Sequence, residues 1–234
     1  MTLCVYALSV PGLGRIAATG ITGERLRLVS VGGIVAIVGE MSRTPRPTED
    51  HLRKYDRVVQ ALSRRTPALL PARYGTHVRD LYELALILGA RQDALRRRLK
   101  AVRNRVQMTV RIPTSDRDVG RALLGSPGRP DKVRRRGTKK SGPSGEGGDY
   151  LRSRARDAAA ARDIPQFEPL RAAVRRWVRA ERVEHRGGIA TVYHLVPRGS
   201  VEAYRRALDE EAREAGVRLM VSGPWPAYAF ADGW

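Results

Sequence analysis

The chain has 234 residues, 42% of them hydrophobic, with a formal net charge of +20 and a single cysteine, Cys4. That length supports one large or two small domains with a buried core, and one cysteine leaves neither a disulfide framework nor a cysteine metal cluster. No apolar run approaches the roughly 18 residues needed to cross a bilayer, and the start lacks the charged region of a secretory signal, so the sequence reads as a soluble cytoplasmic protein attracted to acidic surfaces.

Leu3 to Ser9 is dominated by strand formers and ends at Pro11-Gly12. The following Gly12-Leu13-Gly14-Arg15-Ile16-Ala17 superficially fits a dinucleotide loop, but Gly20 and Gly23 interrupt the helix such a loop must open, which makes it a connection. Leu26 to Val31 and Ile34 to Val38 flank Gly32-Gly33, a pair that tolerates the positive φ of a two-residue hairpin turn. Thr48 is placed to cap a helix with Glu49 and Asp50 in its first turn, and Leu52, Tyr55, Val59 and Leu62 recur at helical spacing. Thr66 to Thr76 reads as a short apolar strand broken at Pro71, with a strand exit at Arg73. Leu81, Leu84, Ala85 and Leu88 form a helical stripe ending near Gly89. Leu95, Leu99 and Val102 continue it in a second helix, whose other face is Arg96, Arg97, Arg98, Lys100 and Arg103.

Val106, Met108, Val110 and Ile112 alternate with Gln107, Thr109 and Arg111, the pattern of a half-buried strand. From Leu124 to Gly148 the chain turns to glycine, proline, serine and basic residues, including Arg134, Arg135, Arg136, Lys139 and Lys140. Such a segment lacks the apolar surface needed to offset ordering entropy and reads as a flexible basic insertion. A helix opens over Gly147 to Arg154, and Leu170, Val174 and Trp177 mark another after Pro165. Arg182 to Arg186, Gly187-Gly188 and Ile189 to Val196 form a hairpin. Ser200 caps a helix with the face Val201, Tyr204, Leu208, Ala212 and Ala215, Gly216 ends it, and Val217 to Ser222 is the last strand. Gly223 to Phe230 then packs two prolines and three aromatics into eight residues, a rigid, extended exit from that strand.

These elements give an α+β protein of two domains. Residues 1–103 form an N-terminal mixed sheet with packed helices. Residues 104–234 follow the order strand, helices, strand, strand, helix, strand of a ferredoxin-like split βαβ domain, with the insertion at about 124–148 and an aromatic–proline tail at 223–234.

Gly223-Pro224-Trp225-Pro226-Ala227-Tyr228-Ala229-Phe230 closely resembles the Gly-Pro-Trp-Pro-Pro-Tyr-x-Phe signature of the gas vesicle protein F/L family (GvpF/GvpL). Leu70 to Thr76 resembles that family's Leu-Pro-x-Arg-Phe-Gly-Thr motif with Tyr74 in the phenylalanine place, and Gly147 to Arg154 its Gly-x-x-Tyr-Leu-x-x-Arg motif. The glutamate that family members often carry before the strand at Val106 is replaced here by Asn104 and Arg105, so no role of that glutamate carries over. The resemblance implies a ferredoxin-like C-terminal domain and a non-enzymatic accessory or minor structural protein of gas vesicles. Its implied partners are the hydrophobic shell protein and other accessory proteins, and its implied place is the vesicle and the cytoplasm. The residues concentrated in these motifs are the candidate partner-binding set: Arg73, Tyr74, Tyr150, Arg154, Trp225, Tyr228 and Phe230. Trp225, Tyr228 and Phe230 are expected to make apolar contacts or lock the domain junction, with Arg73 and Tyr74 facing the same cleft.

His51, His77, His185 and His194 share no metal-ligand spacing, and neither a nucleophile elbow nor a complete phosphate-cradling loop is present, so no catalytic residue, metal or cofactor is expected. A basic nucleic-acid-binding module is the second reading, built on the Arg/Lys linker and the sheet positions Thr109, Arg111, Thr191 and Tyr193. It ranks behind because those positions offer a single aromatic for base stacking. No membrane partner is expected.

Overall fold

The computed structural model describes residues 2–14, 18–43, 45–113, 164–186 and 188–231. It is an α+β protein with two antiparallel sheets. The first contains β1 (Thr2–Ser9), β2 (Leu26–Val31), β3 (Ile34–Met41) and β4 (Leu69–Pro71) in the order β2-β3-β1-β4, with the short β5 (His77–Val78) also on β1. Gly32 and Gly33 both take positive φ, 53° and 75°, so Val31 pairs with Ile34 across the expected two-residue turn.

β1 is buried along nearly its whole length because helices cover both faces of the sheet. On one side α1 (Glu49–Arg64) sets Tyr55, Val59 and Leu62 against Cys4, Tyr6 and Ile37. On the other, α2 (Leu81–Ala90) and α3 (Gln92–Val102) set Leu84, Leu88, Leu95, Leu99 and Val102 against Leu3, Val5, Ile34 and Val38. Thr48 caps α1 as the sequence predicts, its Oγ1 accepting from the His51 amide at 3.3 Å. The predicted inward faces are narrower in the structure. Leu52 and Leu81, in the first turns of α1 and α2, stand 44% and 46% exposed.

The second sheet is β7-β8-β6-β9, formed by β6 (Arg105–Pro113), β7 (Ala180–Arg186), β8 (Ile189–Pro197) and β9 (Met220–Trp225). Every pairing in it is antiparallel. One face carries α4 (Glu168–Val174) and α5 (Val201–Glu214), with Leu170, Val174, Tyr204 and Leu208 packed on Met108, Val110 and Val192.

Four details depart from the sequence reading. Ser200 occupies the N-cap of α5 without a side-chain capping bond, because a 3-10 turn over Arg198–Ser200 runs straight into the helix. Ala215 is exposed, and the helix closes with the Val217 amide donating to the Ala212 carbonyl at 2.9 Å while Gly216 takes a φ of 65°. Val217 is thereby used in the cap, so the last strand begins at Met220 and runs through Pro224 to Trp225. Proline is accommodated there because β9 is an edge strand and its register with β6 is broken between Gln107 and Thr109. Finally, β6 is not half-buried: Gln107 and Thr109 are 5% and 6% exposed, covered from the side the alternation assigned to solvent.

Candidate functional site

The cover over Gln107 is the C-terminal aromatic segment itself. After β9 the chain makes a 3-10 turn, Tyr228–Phe230, and the Ala229 amide donates to Gln107 Oε1 at 2.7 Å, while Gln107 Nε2 donates to Thr109 Oγ1 at 3.2 Å. The turn lies on the first sheet as well. Ala227, Ala231 and Phe230 join the core cluster of β1, β3, α2 and α3, which also takes in Leu195 and Ala180 from the second sheet. Tyr228 reaches the other cluster of the first sheet, where its hydroxyl donates to Asp56 Oδ1 at 2.7 Å. Asp56 Oδ2 is held from its own helix by Gln60 Nε2 at 2.7 Å. Burial, that hydrogen bond and the adjacent carboxylate push the Tyr228 phenol far above its ordinary value.

Tyr74 belongs to the same cluster as Tyr228. Its ring meets Tyr55 edge-on at 5.4 Å, and Tyr55 stacks on Tyr6 at 5.3 Å. The hydroxyl that distinguishes Tyr74 from the phenylalanine of the motif finds a partner in the Pro45 carbonyl at 3.1 Å. Tyr74, Tyr228 and Phe230 are thus distributed along one seam rather than gathered in one cleft. Tyr74 and Tyr228 share an aromatic cluster, and Phe230 sits on the opposite face of the first sheet with the Arg182 guanidinium 5.7 Å from its ring. Arg73 is exposed at the turn after β4. Tyr150 and Arg154 lie outside the described residues, as does the basic run from Arg134 to Lys140.

Trp225 lies in a separate surface groove of about 310 Å³ where the two sheets meet. Gln60, Ser63 and Arg64 of α1 form one side, Val106, Arg198 and Val201 another, and Pro224 and Pro226 flank the indole. The indole Nε1 donates to Ser222 Oγ at 3.3 Å, turning its polar edge to its own strand. Arg198 crosses the seam: its Nη2 donates to the carbonyls of Ser63 at 2.7 Å and Thr66 at 3.2 Å, at the C-terminal end of α1 where carbonyls are unpaired. Its Nε is buried without a partner, and burial lowers the guanidinium pKa. Asn104, at a φ of 53°, turns the chain between the sheets, its amide donating to the Pro67 carbonyl at 2.6 Å and its carbonyl accepting from the Arg198 amide at 3.0 Å.

Sequence reasoning missed Gln107, Arg198 and Asp56 as seam residues. Only Gln107 left a signal, an uncharged amide within a strand where a solvent-facing residue is more often charged.

Two other chemical candidates resolve into the core. Cys4 is 1% exposed, and burial, reinforced by the Glu24 carboxylate, pushes its thiol up to about 12, so it is a protonated core residue at neutral pH. His194 is fully buried, with Nε2 2.9 Å from Glu181 Oε2 and Nδ1 2.8 Å from the Tyr204 hydroxyl. Arg171 Nε donates to the same Glu181 oxygen at 3.1 Å. The His194 hydrogen bond, with the Arg171 contacts, holds the Glu181 carboxyl down at about 2. The groove beside Trp225 is not lined by this chain of groups. Among the described residues no cluster of His, Cys, Asp and Glu is arranged to hold a metal, and no helix is long and apolar enough to cross a membrane. Of the sheet positions considered for base stacking, Thr109 is buried, while Arg111, Thr191 and Tyr193 are half-buried and the Tyr193 hydroxyl donates to Glu184 at 3.0 Å.

Fold and seam together define a two-sheet α+β protein fastened by its own C-terminal aromatic turn. A model of the family described as "Gas vesicle synthesis protein GvpL/GvpF" matches residues 3–232, and the chain belongs to that family. Gas vesicle protein F of Streptomyces sp. (strain CB03234) is 24% identical over 244 residues, covering 99% of this chain and 100% of its own length. Crystal structures of GvpF from Microcystis aeruginosa and from Anabaena sp. PCC7120 share the fold, with TM-scores of 0.72 and 0.70 at 12% identity. The first covers 99% of both chains, the second 100% of this chain and 99% of its own.

Proposed function

We propose that this chain is a non-enzymatic accessory protein of gas vesicles, acting at the vesicle and in the cytoplasm, that binds the hydrophobic shell protein and assists vesicle assembly. The observation that carries this reading is α2. Leu81, Tyr82 and Leu86 are 46%, 73% and 56% exposed, and among the described residues Leu52 is the one other exposed large hydrophobic side chain. The same helix buries Leu84 and Leu88, so it is apolar on both sides, and a groove of about 470 Å³ opens at its start between Leu81, Tyr82 and the first residues of β1, with Arg27, Glu40, Arg79 and Asp80 completing its walls.

A shell subunit that will face gas exposes apolar surface before assembly, and exposed patches of more than a few hundred Å² invite aggregation. An apolar helix face on a carrier of net charge +20 covers such a surface and keeps the complex dispersed. The seam serves this role by fixing the two halves, residues 1–103 and 104–234, in one geometry. Tyr74, Tyr228 and Phe230 act there as locks, and Trp225 lines a groove at the junction. The strand order of the second sheet supports its reading as a ferredoxin-like split βαβ unit. Replacing Leu81, Tyr82 and Leu86 together by serine is expected to abolish vesicle formation and capture of the shell protein while the protein still melts cooperatively, within about 6 °C of wild type, since exposed side chains contribute little to stability. Normal vesicles from that variant would refute the assignment of α2.

A further inference from the structure

We infer that the groove beside Trp225 is a binding site for a short acidic–apolar segment of a partner protein, a carboxylate side chain next to an aliphatic or aromatic one. The inference is independent of whether the partner is the shell protein. It rests on three features of the groove.

The first is its size and walls. About 310 Å³ lies at the lower end of ligand clefts and takes one or two side chains rather than a large cofactor. Val106, Val201, Pro224 and Pro226 supply apolar walls. The indole, with its Nε1 turned to Ser222, presents its hydrocarbon ring and not its donor.

The second is charge. Arg64 and Arg198 line the groove, and among the described residues no acidic side chain does. Among the described residues the Arg198 side chain has only carbonyl partners, from Ser63 and Thr66, and its Nε is buried without any. A half-buried guanidinium favours a carboxylate, which accepts from its planar donors and neutralises a charge that carbonyl dipoles only partly offset. Arg64, exposed at the end of α1, has no carboxylate partner among the described residues and stands on the same rim. The third feature is that Val201, the first residue of α5, also lines the groove, adding the positive end of a helix dipole.

A nucleic acid is the poorer fit, since it asks for a row of basic residues and repeated stacking surfaces, and the groove offers two arginines and one indole.

The test is fluorescence anisotropy on the full chain at physiological salt, with labelled acetyl-Leu-Glu-Leu-Glu-Leu-amide as probe. Two control peptides replace its glutamates by glutamine or its leucines by glycine. The acidic–apolar peptide is expected to bind at least tenfold more tightly than either control. Arg64→Gln is expected to weaken it three- to tenfold, Trp225→Leu by a similar factor, and Arg97→Gln, the same charge loss on the exposed face of α3, by less than twofold. Thermal melts accompany each variant, and Arg64, being exposed, carries the test should Trp225→Leu destabilise the fold. No binding, equal binding of the three peptides, or equal losses in Arg64→Gln and Arg97→Gln would overturn the site. So would displacement of the peptide by a short oligothymidylate whose own binding is weakened by Arg64→Gln, an outcome that would reassign the groove to nucleic acid.

Discussion

The bond between Tyr228 and Asp56 joins the last turn of the chain to its first helix, 172 residues away in sequence, and its strength can be measured in isolation. A hydrogen bond to a charged acceptor contributes about 1.5–3 kcal/mol. Asp56 is half-buried and keeps Gln60 as a second partner, so the low end applies and a coupling of about 1–2 kcal/mol is expected. The assay is a double-mutant cycle of Tyr228→Phe, Asp56→Ala and the pair, followed by urea melts. In a chain of this size Tyr228→Phe should lower Tm by roughly 3–6 °C. Because the Tyr228 pKa is raised in the folded state, this contribution is fully present below the ordinary phenol value near 10 and declines as pH rises beyond it. Additive single mutants, with a coupling below about 0.3 kcal/mol, would mean that this bond contributes nothing and that the tail is docked by apolar contact alone.

Gln107→Leu keeps the volume but strands the Ala229 amide, and is expected to cost about 1–3 kcal/mol in chemical denaturation. A loss below about 0.5 kcal/mol would mean that the amide finds water instead. Glu181, held at about 2 against a usual 4.5, stabilises the fold above pH 4.5, and that contribution disappears as pH falls through 2. Its ceiling is about 3 kcal/mol, and Glu181→Gln should flatten the acid limb of the stability–pH profile. Cys4 should resist alkylation in the native protein at pH 8 and react only on unfolding, as followed by mass spectrometry.

What the sequence revealed and what it hid divide along the range of the interactions. The Gly32-Gly33 hairpin and the Thr48 cap are decided by neighbours a few residues apart, and both form as read. The β1 alternation is weak because helices bury both of its faces. Gln107 and Thr109 looked solvent-facing because alternation describes one sheet with one open face, and the element that covers them arrives more than a hundred residues later. The last strand was displaced because Val217 and Leu219 carry a strand-like pattern, yet the helix cap uses the Val217 amide. Of the candidate site, the aromatic signature was visible as a concentration of rings and prolines. Its division between a seam lock and a groove depends on Asp56, Gln107 and Arg198, which no local pattern marks.

Apolar capture of the shell protein is decided by co-purification of the two proteins after nuclease treatment, repeated from low to high salt. Retention of the shell protein at high salt is predicted, because screening removes charge-driven association and leaves apolar contact. Loss of the shell protein, with nucleic acid held at low salt and released along a steep salt slope, would contradict the account.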